Sequence, residues 1–216
     1  MSDFLAATAP LLTPAFHLAG SDFSWLELLA VVLSLAMVGC NLRINPLGWP
    51  LAIAASALYA LLFVHSKLYG EAGLQLVFIT LGAWGWWQWL RGTTATGERL
   101  PVRSLSWRQR GLALAVTAAG WPLLGWMLSR WTDSDVPYLD ALPTVGSLVG
   151  QVLLARKWLD NWAVWLLVNG FSVLLFATKG LWLTMALYAV FAALSVVGWR
   201  AWARLLPDPT RRLPHG

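Results

Sequence analysis

The chain alternates long apolar runs with short segments that hold most of its charged residues. The runs are rich in Leu, Ala, Val and Trp, and a helix of roughly 20 such residues crosses the ~30 Å hydrocarbon core of a bilayer. The pattern therefore predicts an all-α polytopic membrane protein with seven transmembrane helices. The predicted spans are Ser24–Cys40, Leu47–Val64, Ala72–Leu90, Gly111–Leu128, Leu142–Ala155, Trp162–Thr178 and Leu181–Ala203.

The composition supports this class. The chain has 216 residues, of which 58% are hydrophobic and only 12% are charged, whereas about 25% of the residues in a soluble domain are charged. The single cysteine, Cys40, excludes an intramolecular disulfide and any cysteine-based metal site. Residues 1–23 carry Asp3 and lack a basic stretch, so we expect a short lead-in rather than a cleaved signal peptide.

Charge is distributed unevenly between the two sets of loops. The formal net charge is +5, and the basic residues cluster after spans one, three, five and seven. Asp133, Asp135 and Asp140 lie between spans four and five. Because cytoplasmic loops carry an excess of Lys and Arg, the N-terminus is predicted outside and the C-terminus in the cytoplasm. The basic positions are Arg43, Arg91, Arg99, Arg103, Arg108, Arg110, Arg156, Lys157, Arg204, Arg211 and Arg212.

The first three spans resemble the last three. A shift of 113 residues aligns them without a gap, and it superposes Gly85-Trp86-x-x-Trp89 on Gly198-Trp199-x-x-Trp202. Each unit has an odd number of spans, so the fourth span is needed to give both units the same orientation. We predict a 3+1+3 parallel repeat with the substrate at the repeat interface. The units are residues 24–90 and 142–203, joined by 91–141 and followed by a cytoplasmic tail at 204–216.

A stripe of indoles and one amide marks the sixth span. Trp158, Trp162, Trp165 and Asn169 follow one another at steps of 4, 3 and 4, which places them on one face of a helix. An amide inside an apolar helix needs a partner, and indole faces attract cations. The stripe predicts the wall of a site for a flat, polar, cationic molecule. Packing or anchoring at the membrane interface is the alternative, and for Trp158 it is the favoured one.

Further polar and aromatic residues are candidates for the same site. Gln75 and Gln151 are amides at or near membrane depth, suited either to hydroxyl and carboxamide recognition or to interhelical hydrogen bonds. Asn161 is either a helix cap or a ligand contact. Trp182 and Tyr188 either line the site or pack in the core. The Gly-Trp-x-x-Trp motifs allow close helix approach, and their tryptophans either pack or act as a gate. These gating candidates are Trp86, Trp89, Trp199 and Trp202.

The ionisable residues lie near the ends of the predicted spans. Because proton-coupled carriers need a buried carboxylate or histidine, this favours a uniporter. The sequence has no glycine-rich phosphate loop of the ATP-hydrolysing type, and no catalytic triad or metal-ligand cluster is recognisable in it. We therefore expect no enzyme activity, no cofactor and no metal. A membrane-embedded binding subunit that delivers its ligand to another machine stays open.

Several motifs are similar to those of a known family. They are Trp25-x-Glu27, Leu68-Tyr69, Leu74-Gln75, Gly85-Trp86-x-x-Trp89, Asp140 with Ser147, Ala155-Arg156-Lys157, Asp160-Asn161-Trp162-x-x-Trp165-x-x-x-Asn169 and Lys179-Gly180-Leu181. With them, residues 24–203 resemble the PnuC-type vitamin transporters. The family usually has glutamate at the position of Asp160.

The resemblance implies a full-length SWEET-like fold, a homotrimer in the bacterial inner membrane, and facilitated diffusion of nicotinamide riboside. Uptake would be driven by a cytoplasmic kinase that phosphorylates the vitamin, with no nucleic-acid partner. The resemblance also implies that Gln75, Trp162, Trp165 and Asn169 contact the ligand. Some members of the wider family carry thiamine, riboflavin or deoxynucleosides, so another vitamin such as thiamine is the alternative cargo.

Overall fold

The computed structural model describes seven α-helices and one short β-hairpin within residues 13–18, 21–65, 69–93, 97, 100–132, 136–178 and 182–206. The strands are β1 (Pro14–Leu18) and β2 (Ser21–Ser24). The helices are α1 (Trp25–Leu42), α2 (Gly48–His65), α3 (Tyr69–Arg91), α4 (Trp107–Trp131), α5 (Pro137–Ala155), α6 (Asn161–Thr178) and α7 (Trp182–Ala203). The seven predicted helices are thus confirmed. Several residues named in the sequence analysis lie outside the described ones: Asp3, Leu68, Arg99, Asp133, Asp135, Lys179, Gly180, Leu181, Arg211 and Arg212.

The hairpin adds two short strands to the predicted all-α fold, in a lead-in for which no secondary structure was predicted. β1 and β2 pair antiparallel, and the Trp25 N–H donates to the Thr13 carbonyl at 3.3 Å. Ser24 then caps α1, since its hydroxyl accepts from the Glu27 N–H at 3.2 Å and the Glu27 carboxylate accepts from the Ser24 N–H at 2.8 Å. This reciprocal capping box fixes where the helix begins.

Two helices, α4 and α5, extend furthest beyond their predicted spans. α4 begins at Trp107 rather than Gly111, because Ser106 and Gln109 form a second capping box. α5 begins at Pro137 rather than Leu142, because proline suits the first helical position, where no N–H partner is required. The apolar runs therefore underestimated both helices, whose first turns are polar.

Five helices are long and apolar enough to cross a bilayer. They are Trp25–Leu42, Gly48–His65, Trp107–Trp131, Pro137–Ala155 and the Met185–Ala203 part of α7. In α6 the apolar stretch Asn161–Ala177 is shorter. α3 is 23 residues long, or about 34 Å at 1.5 Å per residue, but its amides and terminal charges lower its hydropathy.

Consecutive helices pack against each other from α1 to α3 and from α4 to α7. The α3–α5 and α1–α7 contacts join these two groups. At one end, four buried indoles form what we call the tryptophan cluster, whose members are Trp49, Trp89, Trp162 and Trp202.

The tryptophan cluster repeats one arrangement twice. Trp49 meets Trp89 edge-to-face at 5.5 Å and 86° between centroids and planes, and Trp162 meets Trp202 at 5.6 Å and 89°. Trp89 and Trp202 meet each other at 6.1 Å. The Trp49–Trp89 pair and the Trp162–Trp202 pair are offset from each other by 113 residues.

Glycines provide the space for two of these indoles. A Cβ at Gly85 would collide with the Trp49 ring, and a Cβ at Gly198 would collide with the Trp162 ring. α2 and α6 can therefore approach α3 and α7 closely only because both positions lack a side chain.

The cluster also ties the two groups of helices together crosswise. The Trp89 indole N–H donates to the Leu154 carbonyl at 3.2 Å, and the Trp202 indole N–H donates to the Asn41 carbonyl at 3.0 Å. Each acceptor lies in the last turn of its helix, just before a turn. In both turns one non-glycine residue has an unusual positive φ, 53° at Ile44 and 55° at Lys157. All three pairs are again 113 residues apart.

Candidate functional site

A cavity of about 880 Å³ lies between α1 and α3–α7. One end of the cavity is bordered by Asn41, Leu154 and Trp162, the last of which belongs to the tryptophan cluster. The other end is bordered by Thr132 and Asp140, between α4 and α5. Of the described residues, none from α2 borders it. Six aromatic rings line the wall: Phe78, Trp162, Trp165, Phe176, Tyr188 and Phe191.

The aromatic residues form two groups along the cavity. Trp162 and Trp165 lie toward the tryptophan cluster, and Trp165 packs on Gly150, where a Cβ would come within 3.1 Å of the ring. Nearer the other end, Phe176 stacks on Tyr188 at 5.2 Å and 28°. Flat aromatic surfaces thus face the cavity along much of its length, as a planar ligand requires.

Two glutamines on the wall have no hydrogen-bond partner among the described residues. Within the described part of the chain, neither the Gln75 nor the Gln151 amide forms a hydrogen bond, although Gln151 is only 9% exposed. Neither amide is among the polar atoms that are sealed from solvent without a partner. Water or a polar ligand in the cavity can supply the missing hydrogen bonds.

Asn169 is held by a neighbouring hydroxyl. Its Nδ2 donates to Ser195 Oγ at 3.4 Å, and Ser195 Oγ donates to the Phe191 carbonyl at 2.8 Å. Asn169 is 7% exposed and Ser195 is 3% exposed, and both border the cavity. α6 and α7 thus present one carboxamide to the cavity in a fixed position.

The two ends of the cavity differ in polarity. At the tryptophan cluster, Asn41 Oδ1 and Trp162 Nε1 are buried and have no hydrogen-bond partner among the described residues. At the opposite end Asp140 lies in the first turn of α5, and it is the one charged residue among the described wall residues. An acidic group at this end favours cations over anions in the cavity.

The structure brings together most of the residues predicted for the site. Gln75, Gln151, Trp162, Trp165, Asn169 and Tyr188 border one cavity. Asn161 does not: it is fully buried at the first position of α6, where its Nδ2 donates to the Trp158 carbonyl at 2.6 Å. Its local role at the α5–α6 turn fits the helix-end alternative. The Trp182 side chain lies outside the described residues.

The four gating candidates separate into two pairs. Trp89 and Trp202 belong to the buried tryptophan cluster, whereas Trp86 is 38% exposed and Trp199 is 37% exposed. Trp86 and Trp199 are partly exposed, as lipid-facing or interface tryptophans are. A gating role for any of the four tryptophans stays a prediction.

Some wall residues were not predicted from the sequence. Asn41 is an amide near the end of the first predicted span, and its residue type could have marked it. Ser34, Ser172 and Ser195 donate to the carbonyl four residues earlier, which serine does in many apolar helices. Only the packing of α6 on α7 distinguishes Ser195 from the others.

Asp160 fastens the loop between α3 and α4 rather than lining the cavity. Its carboxylate accepts from the Leu105 N–H and from Arg110 Nε, both at 2.8 Å. The Leu159 N–H donates to the Arg103 carbonyl at 2.8 Å alongside. The arginine-rich loop is thus joined to the α5–α6 turn, next to the tryptophan cluster.

Apolar helices that enclose a polar-lined cavity are the architecture of a multi-pass membrane transporter. A family model described as Nicotinamide mononucleotide transporter matches residues 24–204. The chain belongs to this family, so the predicted resemblance to PnuC-type transporters and the expectation of a non-enzyme are both confirmed.

Relatives and a solved structure cover most of the chain. The riboflavin/roseoflavin transporter RibM of Streptomyces davaonensis is 29% identical, covering 87% of this chain and 89% of the relative. The nicotinamide riboside transporter PnuC of Escherichia coli is 23% identical, covering 93% and 94%. A crystal structure of the vitamin B3 transporter PnuC matches with a TM-score of 0.68 and 27% identity, covering 84% of this chain and 81% of that one.

Proposed function

We propose that this protein takes up nicotinamide riboside across the bacterial inner membrane as a uniporter. The observation that carries the proposal is a cavity bordered by indole faces, by two amides that have no hydrogen-bond partner among the described residues, and by one acidic residue. Nicotinamide riboside has a planar cationic ring, a carboxamide and ribose hydroxyls. Each of these groups has a complement on the wall.

The charge of the cargo supports nicotinamide riboside over riboflavin. Trp162 and Trp165 offer π-faces to a pyridinium ring, worth about 0.5–2 kcal/mol per contact, and Asp140 adds an acidic group at the cavity end. Riboflavin is a second candidate because RibM is as similar in sequence as relatives named for nicotinamide riboside. Its neutral ring would gain less from these residues. Thiamine, also a cation, is a third.

Passive transport is supported by the residues at the centre of the cavity. Gln75, Gln151 and Asn169 are neutral, and the charged Asp140 lies in the first turn of its helix. A proton-coupled carrier needs an ionisable group that meets the cargo at depth. Phosphorylation by a cytoplasmic kinase would then trap the nucleoside. The phosphate group makes the product an anion, which cannot return through a cavity suited to cations.

Alternating access between two three-helix units is the movement that we propose, in a SWEET-like 3+1+3 fold. The 113-residue offset between Trp49 and Trp162, and between Gly85 and Gly198, supports the repeat. Trp89 and Trp202, which bond across to the other unit, would close the cytoplasmic side. We expect the protein to be a homotrimer, which its mass in detergent would test.

Uptake into liposomes tests cargo and coupling together. Purified protein should admit labelled nicotinamide riboside down its gradient, and an ionophore that collapses proton or sodium gradients should leave the initial rate unchanged. Unlabelled thiamine and riboflavin serve as competitors, and protein-free liposomes are the control. Preferential inhibition by riboflavin would show that riboflavin is the cargo. An initial uptake rate that falls when the proton gradient is collapsed would contradict uniport. A protein that binds vitamin but moves none would instead be a binding subunit.

A further inference from the structure

The hydrogen bonds around Ser195 determine which atom of Asn169 faces the cavity. A serine hydroxyl has one proton to donate and lone pairs to accept with. The Phe191 carbonyl can only accept, and it lies 2.8 Å from Ser195 Oγ. The single hydroxyl proton is therefore used in that bond, inside α7.

Asn169 must then donate to Ser195. The group of the carboxamide that lies 3.4 Å from Ser195 Oγ has to be the NH2, because an amide oxygen there would meet a lone pair. Oδ1 receives no hydrogen bond from the described residues, and it is not among the sealed polar atoms that lack partners. Since Asn169 borders the cavity, the oxygen is open toward the ligand.

We propose that Ser195 is a positioning residue, which fixes Asn169 as a hydrogen-bond acceptor and thereby selects a cargo that presents an N–H donor. The inference rests on the proposed function. Asn169 lies one helical turn beyond Trp165 on the same face of α6, so a group attached to a ring on that indole comes within reach of the amide oxygen. In nicotinamide riboside this group is the carboxamide, whose NH2 donates.

The same geometry disfavours the acid analogue. Nicotinic acid riboside has a carboxylate in place of the carboxamide, and a carboxylate is only an acceptor. Facing Asn169 Oδ1, it would leave both oxygens without a donor and place like partial charges together. A polar site built for one hydrogen-bonding pattern rejects the opposite pattern in this way.

Removing the Ser195 hydroxyl should abolish the preference for the carboxamide over the carboxylate. In Ser195→Ala nothing holds the NH2, so the carboxamide can rotate by half a turn and donate to the acid. In Ser195→Thr the hydroxyl can keep both bonds. The control variant is Thr80→Ala, because Thr80 on exposed α3 surface also donates to a carbonyl four residues earlier, at 2.8 Å, but does not border the cavity.

The experiment is calorimetric titration of each variant with the two nucleosides, read as the ratio of their dissociation constants. We expect the wild type and Thr80→Ala to prefer nicotinamide riboside by about 10-fold or more, which corresponds to a single favourable hydrogen bond exchanged for an unfavourable contact. The ratio should fall several-fold in Ser195→Ala and return in Ser195→Thr.

The possible results distinguish a failure of this inference from a failure of the proposed function. If the wild type binds neither nucleoside, the proposed function fails. If it binds both equally, or if Ser195→Ala binds nicotinamide riboside with an unchanged ratio, Ser195 does not position Asn169. The ratio of the two dissociation constants in the wild type can overturn the inference by itself. The inference can therefore be tested even if Ser195→Ala does not fold.

Discussion

At the scale of single residues, Trp165 connects the rigid scaffold with the cavity. It packs closely on Gly150 of the neighbouring helix and borders the cavity beside Asn169. A rigid indole supported from behind loses little conformational freedom when a ligand stacks on it, which favours binding.

Replacing Trp165 should weaken binding of nicotinamide riboside without unfolding the protein. Trp165→Ala removes one cation–π contact of about 0.5–2 kcal/mol, so the dissociation constant should rise roughly 2- to 30-fold. Trp87→Ala is the matched control, because Trp87 is 55% exposed and does not border the cavity. Calorimetry measures both variants, and unchanged affinity in Trp165→Ala would refute its assignment to the site.

The residues that the sequence could identify are those whose type is unusual where they occur. Asn169 is an amide in the middle of an apolar run, and the step from Trp165 gives its helical face. Ser195 has no such signal, since its role depends on the distance to a side chain 26 positions away. Contacts between helices are not encoded in the spacing along one helix.

At the scale of helices, two glycines set how closely neighbouring helices pack. Gly85 and Gly198 each lie under an indole of the tryptophan cluster. The rings that meet these glycines are almost completely buried, with Trp49 at 1% and Trp162 at 4% exposure.

Gly198→Ala should therefore destabilise the protein. The added methyl collides with the Trp162 ring, and overpacking of this kind costs about 1–3 kcal/mol. Gly39→Ala is the control, because a Cβ there meets nothing within 4 Å and alanine is the better helix former by up to ~1 kcal/mol. Thermal unfolding in detergent compares them, and equal midpoints for Gly198→Ala and the wild type would contradict the packing argument.

The sequence predicted the helices better than their ends. Each apolar run became a helix, because in lipid the backbone must satisfy its own hydrogen bonds. The first turns of α4 and α5 were missed because they are set by a cap at Ser106 and by Pro137 rather than by hydropathy. The hairpin at Pro14–Ser24 was missed because short strands in a mixed segment have no distinct period.

At the scale of the whole molecule, several basic residues lie at the end that holds the tryptophan cluster. Arg103 in the α3–α4 loop bonds to Leu159, and Arg110 in the first turn of α4 bonds to Asp160, while Asp140 lies at the opposite end of the cavity. The predicted cytoplasmic side is thus also the side where the cavity borders the tryptophan cluster.

Labelling of introduced cysteines should establish this orientation. In a Cys40→Ala background, which removes the native thiol, Ser129→Cys at the end of α4 should react with an impermeant maleimide on intact cells. Ser104→Cys in the arginine-rich loop should react only after the membrane is opened, because that loop is retained in the cytoplasm. The reverse pattern would invert the predicted topology.

The crosswise indole bonds end on main-chain oxygens, and this affects how the two halves of the chain can diverge. Asn41 and Leu154 accept through their carbonyls, so the tie does not depend on which side chain either position carries. One position has acquired an amide and the other an aliphatic group, although they correspond at the 113-residue offset. The side chains at positions 41 and 154, which both border the cavity, can therefore change in evolution without loss of the hydrogen bonds that join the two groups of helices.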